Sequence, residues 1–202
     1  MVLKGLDKVT LRRKFLKSVD YAYYNKLEDN APASCSPTVH CGYNELNFQI
    51  RSGGGIEVTP SICVNNVTLI QESDRNYGRG MNVVLIDGRD GQYLKSFVFD
   101  VFSQTSNMFT NFLRSLEDEH IILITTYDEA TKNLNAAARF ELVSIGSQHS
   151  NDLHYRDNWA FVGGPLLTRQ HFEKVRKNDV NINKYTEWPE EVVLKGCIPK
   201  VS

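Results

Sequence analysis

Four cysteines constrain the fold of this 202-residue chain more than any other feature. Cys35, Cys41 and Cys63 lie near the N-terminal third, whereas Cys197 lies close to the C-terminus. No pair has the C-x-x-C spacing typical of zinc ligands, so the pattern favours two disulfides over a metal site. Three pairings remain possible. A bridge from Cys41 to Cys197 would close a loop over most of the chain, and structural disulfides are typical of oxidising compartments.

Charge and hydropathy exclude two classes of partner. The chain has 23 Lys and Arg against 24 Asp and Glu, a net charge of -1, and therefore lacks the basic field that attracts nucleic acid. Its longest apolar runs, such as 83–86 and 121–124, are far shorter than the roughly 18 residues that a membrane span needs. We expect neither nucleic-acid binding nor membrane insertion. Charges also interrupt residues 1–20, so no signal peptide is visible there.

The hydrophobic pattern predicts a mixed α/β domain behind an N-terminal leader. In residues 1–34 one amphipathic helix is expected, because its apolar side chains recur at helical spacing. After a Pro-containing linker, about seven strands and two or three helices follow, with hairpins predominating. The apolar face of the leader helix consists of Leu11, Phe15, Leu16, Val19 and Tyr23. The expected strands lie near 48–50, 62–69, 82–86, 93–99, 121–125, 159–163 and 191–197, and the expected helices are one capped by Ser106 and one over 130–145 ending at Gly146.

No familiar catalytic motif occurs in the sequence. G-x-S-x-G, Walker A, G-x-G-x-x-G and H-E-x-x-H are all absent, and the glycines at 53–55 lack the Lys-Ser/Thr of a phosphate loop. His149, Asp152 and His154 cluster, but their spacing does not suit a compact zinc site. We therefore predict a protein that is not an enzyme and uses no cofactor or metal.

A second group of residues has the chemistry of sugar recognition. The planar groups of Asp128 and Arg156 could hold sugar hydroxyls, while Trp159 could cover the apolar face of a sugar ring. In the alternative interpretation Arg156 and Asp157 form a fixed ion pair and Trp159 belongs to the core. The sequence leaves both open. Asn66 begins an N-x-[ST] acceptor triplet, which is compatible with secretion.

Nine short motifs in fixed order, together with the four cysteine positions, resemble those of the small secreted cytokine-like family that includes interleukin-like epithelial-mesenchymal transition inducer and pancreatic-derived factor. The motifs are GRGMNV at 78–83, FD at 99–100, TYDE at 126–129, ATKNLN at 130–135, IGS at 145–147, RDNWAF at 156–161, NKY at 183–185, WPE at 188–190 and GCIP at 196–199. The resemblance covers residues 35–202.

The resemblance implies a compact β-β-α domain of two mainly antiparallel sheets with helices packed outside. It also implies a secreted, extracellular signalling protein without enzymatic activity, whose partner is a cell-surface receptor protein or glycan. Its implied bridges join Cys35 to Cys63 and Cys41 to Cys197. Val162 stands where the epithelial-transition inducer has a further cysteine, so no covalent dimer through that position is expected.

The same domain type is similar to the stem domain of the protein O-mannose N-acetylglucosaminyltransferase, which binds a β-linked N-acetylglucosamine terminus. By this resemblance its sugar-contacting acid and arginine fall on Asp128 and Arg156. A lectin-like module is therefore the alternative function, with Asp128, Arg156, Asp157 and Trp159 as the candidate glycan-binding residues.

Overall fold

The computed structural model describes Cys35, residues 39–168 and residues 172–201, so the predicted leader helix lies outside the described residues. Those residues form nine strands and two α-helices, which makes the domain mostly β and compatible with a mixed α/β description. The strands are β1 (Glu45–Arg51), β2 (Ser61–Val64), β3 (Val67–Ile70), β4 (Gly80–Asp87), β5 (Tyr93–Phe99), β6 (His120–Tyr127), β7 (Asn158–Gly163), β8 (Phe172–Arg176) and β9 (Val193–Pro199). The helices are α1 (Asn107–Arg114) and α2 (Ala136–Ser144). No helix among these residues is long and apolar enough to cross a membrane.

The strands form two antiparallel sheets, as expected. One has four strands in the order β3-β2-β1-β9, and the other has five in the order β5-β4-β6-β7-β8. The strand expected over 62–69 is instead a hairpin, because Asn65 and Asn66 both adopt positive φ between β2 and β3. The other additional strand is β8, whose mixed sequence FEKVR gives no period-2 pattern.

Two hydrophobic clusters define three layers. One cluster lies between the sheets and joins Phe48 and Ile50 of β1 to Val84 of β4. The other joins the opposite face of the five-stranded sheet to the helices, for example Val83 to Phe112. Because apolar layers cover both of its faces, β4 is buried along its whole length and its sequence shows no alternation. The order of layers is sheet, sheet and helices.

Helix α2 begins at Ala136, six residues later than the pattern predicts. Asn135 provides the N-cap, since its side-chain oxygen accepts a hydrogen bond from the N–H of Ala138 at 2.8 Å. At the other end Gly146 has φ +109°, as its predicted position after the helix requires. Ser106 precedes α1 but does not cap it, because its hydroxyl accepts from the N–H of Asn135 instead.

The structure contains the two disulfides that the family resemblance implies. Cys35 is bonded to Cys63 of β2, and Cys41 is bonded to Cys197 of β9. Cys197 lies opposite Asn47 in the β1–β9 ladder, so this bridge fastens the entry of the domain to its last strand. Val162 lies fully buried in β7.

Candidate functional site

Strand register brings distant segments together at one end of the five-stranded sheet. Gly80 at the start of β4 pairs with Tyr127 at the end of β6, so Arg79 and Asp128 flank the same point. Thr125 of β6 pairs with Ala160 of β7, and the antiparallel direction then places Arg156 beside this end as well. A loop before β9 adds the remaining residues. The group, here named the rim, consists of Arg79, Asp128, Arg156, Glu187 and Trp188.

Trp188 connects the two residues for which sugar contacts were predicted. Its indole Nε1–H donates to the main-chain oxygen of Asp128 at 3.2 Å. The guanidinium carbon of Arg156 lies 4.2 Å from the centroid of the Trp188 ring, which is cation–π geometry. Asp128 and Arg156 therefore belong to one site.

The three consecutive glycines form a platform beneath aromatic rings. A Cβ atom on Gly53, Gly54 or Gly55 would lie 2.6, 2.5 or 2.6 Å from the ring of Tyr127, Tyr185 or Trp188, respectively. Gly55 also has φ +57°, which side chains disfavour. The segment leads into a turn in which the N–H of Gly54 donates to the carbonyl of Val58 at 3.0 Å, and its lack of side chains lets these three aromatic rings approach the main chain.

The loop that carries Trp188 is fixed by main-chain contacts. Tyr185 and Trp188 exchange two N–H to carbonyl hydrogen bonds, each of 3.1 Å, across a tight turn with Glu187 at its tip. The side-chain amide of Asn158 in β7 donates to the carbonyl oxygens of Pro189 and Glu190 at 2.9 and 3.0 Å. Since Asn158 lies two residues from Arg156, the two parts of the rim are held in register.

Arg156 is positioned on several sides. Its Nη1 donates to the Oε2 of Glu187 at 2.7 Å, and its guanidinium also lies 4.9 Å from the ring centroid of Tyr155. The Arg156 side chain is 21% exposed and that of Glu187 57% exposed. The Nε of Arg156 is buried and has no hydrogen-bond partner within the described part of the chain. Since Nε is buried, the donors left for a ligand are the terminal guanidinium N–H groups that Glu187 does not engage.

Backbone geometry at the rim is unusual. Asp128 and Arg156 have φ of 59° and 62°, in the left-handed region that residues other than glycine rarely adopt. Such conformations cost on the order of 1–3 kcal/mol each and cluster at functional sites. Two of them at one rim indicate that the site is maintained at a cost to stability.

The electrostatics of the rim centre on Asp128. Burial raises the pKa of its carboxyl group, while the charges of Arg79 and Arg156 oppose that rise. Arg79 is held in place by two hydrogen bonds to the carboxylate of Asp100, at 3.2 and 2.9 Å, and its guanidinium lies over the ring of Phe102. The rim therefore offers one partly desolvated acid between two fixed cations.

Two of the four predicted glycan-binding residues are buried, which corrects that part of the prediction. Trp159 is 0% exposed, stacks on Phe161 and donates its indole N–H to Glu173. Asp157 is 3% exposed, and its carboxylate accepts hydrogen bonds from the N–H groups of His154 and Asn178 and from the ammonium of Lys177. Neither can line an open site, because the core encloses the ring of Trp159 and the 177–178 segment covers the carboxylate of Asp157. Of the alternative interpretation, the ion pair between Arg156 and Asp157 does not form, since each has another partner, whereas Trp159 does belong to the core.

The other acidic and histidine clusters do not build a second site in the described residues. Glu129 is 2% exposed, and its two oxygens accept from Thr131 and from the N–H of Lys132. His149, Asp152 and His154 do not lie close enough together to share a metal ion. Among the described residues the one group that does is Cys41, Glu45 and Cys197, and its two cysteines are joined in a disulfide.

The tryptophan predicted from the sequence is the buried one of the two. The chain has two, and the motif containing Trp159 lies in an apolar strand, whereas Trp188 is followed by proline and flanked by charged residues. A tryptophan in a Pro-containing polar loop is the better candidate for a surface role, because loops lie at the surface and carry binding residues. Arg79 and Glu187 gave no comparable signal, since exposed charges are common.

The family model that matches this chain covers three of the five rim residues. The family model described as Interleukin-like EMT inducer matches residues 79–165, which include Arg79, Asp128 and Arg156. Protein FAM3C of Homo sapiens is 36% identical over 167 residues, 82% of this chain and 74% of that protein. Protein FAM3C of Xenopus laevis is 36% identical over 176 residues, 84% of this chain and 77% of that protein. Protein FAM3D of Mus musculus is 33% identical over 169 residues, 83% of this chain and 76% of that protein.

Proposed function

Because the chain belongs to the interleukin-like EMT inducer family, we propose that it is a secreted, non-enzymatic, cytokine-like signalling protein that binds a cell-surface receptor through the rim. The observation that carries the proposal is the guanidinium of Arg156, held on the Trp188 ring in a side chain that is 21% exposed. Tryptophan and arginine are both among the residue types most enriched at binding hot spots.

The two disulfides support secretion. Bridges of this kind persist in oxidising compartments and are rare in proteins of the reducing cytosol. Cys41 and Cys197 join segments 156 positions apart, so the bridge limits the unfolded chain strongly and suits a protein that must survive outside the cell.

Recognition suits the rim better than catalysis. Glu129, the second acid of the pair that follows β6, uses both carboxylate oxygens in hydrogen bonds to the adjacent turn. Glu187, the other carboxylate of the rim, is paired with Arg156, so neither acid is free to act as the partner of Asp128 in acid–base chemistry. Arg79 and Arg156 supply directional hydrogen-bond donors, the usual role of arginine in recognition, rather than groups for proton transfer.

A lectin-like function is the second candidate, and a specific arrangement favours it. Asp128, Arg156 and Trp188 provide an acceptor, a planar donor and an aromatic edge within one site, the set of groups that protein–sugar contacts use. In this version the ligand is a glycan with a β-linked N-acetylglucosamine terminus, and Trp188 replaces Trp159 as the aromatic residue.

The two tryptophans make the candidates separable. In an NMR titration of the oxidised protein with a β-linked N-acetylglucosamine glycoside, the indole N–H signal of Trp188 should shift saturably, while that of buried Trp159 stays fixed. This outcome supports the lectin-like function. An unchanged Trp188 signal at saturating glycoside would exclude it, and equal shifts of both signals would indicate a change of the whole domain rather than a site.

Receptor binding is tested with a matched pair of arginine variants. Arg156→Ala should abolish saturable binding of the labelled protein to responsive cells. The control is Arg114→Ala in the helical layer. Arg114 makes one ion pair, with Glu141 at 2.7 Å, the same distance as that between Arg156 and Glu187. This variant should bind cells like the parent. Equal binding by both variants would refute the rim as the receptor site.

A further inference from the structure

The β2–β3 hairpin presents Asn66 at its tip. Asn65 and Asn66 form a two-residue turn with φ of 49° and 64°, the signature of a type I′ turn. The turn is fixed by its main chain: the N–H of Asn65 donates to Asn47 at 3.0 Å, and the carbonyl of Asn66 accepts from the N–H of Cys35 at 3.2 Å. Asn66 itself is exposed, and within the described residues its side chain makes no hydrogen bond.

We propose that Asn66 carries an N-linked glycan when the protein passes through the secretory pathway, a modification that rests on the proposed secretion. Asn66, Val67 and Thr68 form the N-x-[ST] acceptor triplet, and Val67 is not the proline that would block it. The hairpin adds what the triplet alone lacks. The side-chain amide of Asn66 lies at a surface turn, where an attached glycan would meet solvent rather than a neighbouring element of the domain.

The reaction is a transfer of glycan from a lipid-linked oligosaccharide diphosphate by the oligosaccharyltransferase of the host. A bond forms between the side-chain amide nitrogen of Asn66 and the anomeric carbon of the first N-acetylglucosamine. The bond from that carbon to the diphosphate oxygen breaks, and the lipid diphosphate leaves with the electron pair. The amide nitrogen loses one proton, and no oxidation or reduction takes place.

The glycan would lie far from the rim. In the β1–β2 ladder Phe48 pairs with Val64 near the hairpin turn, whereas Arg51 pairs with Ser61 at the opposite end. The chain continues from Arg51 into the glycines that support Trp188. At about 3.4 Å per residue, the strand separates the turn from the rim by roughly 20 Å. Glycosylation at Asn66 is therefore compatible with an open rim.

The test uses the full chain, secreted from cultured animal cells behind a supplied secretory signal. The parent should migrate more slowly before treatment with peptide-N-glycosidase than after it, and the treated peptide should carry Asp in place of Asn66 by mass spectrometry. Asn66→Gln should abolish the shift. Asn65→Gln is the matched control, since it alters the same left-handed turn outside the triplet and should keep the shift.

Two further variants examine the hydroxyl of the triplet. Thr68→Val removes the hydroxyl at nearly constant shape and should abolish glycosylation, whereas Thr68→Ser should retain it. Secreted parent protein without any enzyme-sensitive shift overturns the inference and leaves the proposed signalling function intact. A glycosylated protein that fails to bind responsive cells would support the glycosylation site and contradict the proposed signalling function. Retention of the shift in Asn66→Gln would also overturn the assignment.

Discussion

The guanidinium of Arg156 lies 4.2 Å from the centroid of the Trp188 ring. This contact joins the start of β7 to a loop 32 positions further along the chain. It also restricts a side chain that would otherwise lose about 2 kcal/mol of rotamer entropy on binding. A ligand that engages Arg156 therefore meets a group that is already ordered, and preordered groups gain affinity because less freedom is lost at association.

The two tryptophans should respond oppositely to truncation. Trp159→Ala should cost roughly 3–5 kcal/mol in the free energy of unfolding, because it empties a fully buried site in the core. Trp188→Ala should cost much less, since the residue is only half-buried, yet it should abolish binding to cells. Urea unfolding followed by far-UV circular dichroism measures the first effect, and cell binding measures the second. A Trp188→Ala variant with parental binding would contradict the proposal that the rim is the binding site.

Backbone strain at Asp128 gives a second prediction. Because its φ is 59°, Asp128→Gly should be more stable than Asp128→Ala by about 1 kcal/mol. Asp90 is an exposed aspartate outside the set of positive-φ residues, so Asp90→Gly should be no more stable than Asp90→Ala. Urea titration of the four variants measures both differences. Equal glycine-minus-alanine differences at the two positions would exclude strain as the cause.

The layers of the fold could be expected from the sequence and its family resemblance, whereas the rim could not. Continuous apolar runs such as 121–124 mark central strands because these strands are buried on both faces. The β2–β3 turn was missed because two adjacent asparagines resemble ordinary strand-flanking polar residues, although the pair suits positive φ.

At the rim, Asp128 and Arg156 were identified from their side-chain chemistry and again through the resemblance, but their neighbours depend on tertiary contacts. Burial of Trp159 follows from its place in β7, which lies inside the five-stranded sheet. Trp188 joins the site only because the 185–190 loop folds over the glycines at 53–55, a contact between segments more than 130 positions apart. No local pattern encodes such a contact.

The ion pair between Asp100 and Arg79 should make stability depend on acid pH. The hydrogen bond from Arg79 lowers the pKa of Asp100 from 3.8 to about 2. The unfolded chain then binds the proton at a higher pH than the native state does, so the contribution is complete above about pH 4 and is lost as the pH falls through 2. Asp100→Asn should flatten the acid limb of the unfolding free energy between these values.

Asp90→Asn is the control for that experiment. Asp90 is exposed, and its carboxylate accepts one main-chain hydrogen bond, from Gln92, but forms no hydrogen bond or ion pair with an arginine among the described residues. Its removal should leave the acid limb close to that of the parent. Chemical unfolding at several pH values between 2 and 7 measures the slopes. If Asp100→Asn keeps the parental slope, the pair with Arg79 does not contribute to acid sensitivity.

The two disulfides should contribute unequally to stability. In the chain-entropy model the bridge from Cys41 to Cys197, with a separation of 156, stabilises by about 5 kcal/mol, whereas that from Cys35 to Cys63, with a separation of 28, stabilises by about 3.5 kcal/mol. Replacing each pair by serines should therefore cost about 1.5 kcal/mol more for the long loop. Urea unfolding without reductant measures the difference, and with reductant the parent and both variants should converge. Equal costs for the two pairs would mean that local contacts around the bridges, rather than loop length, determine their contribution.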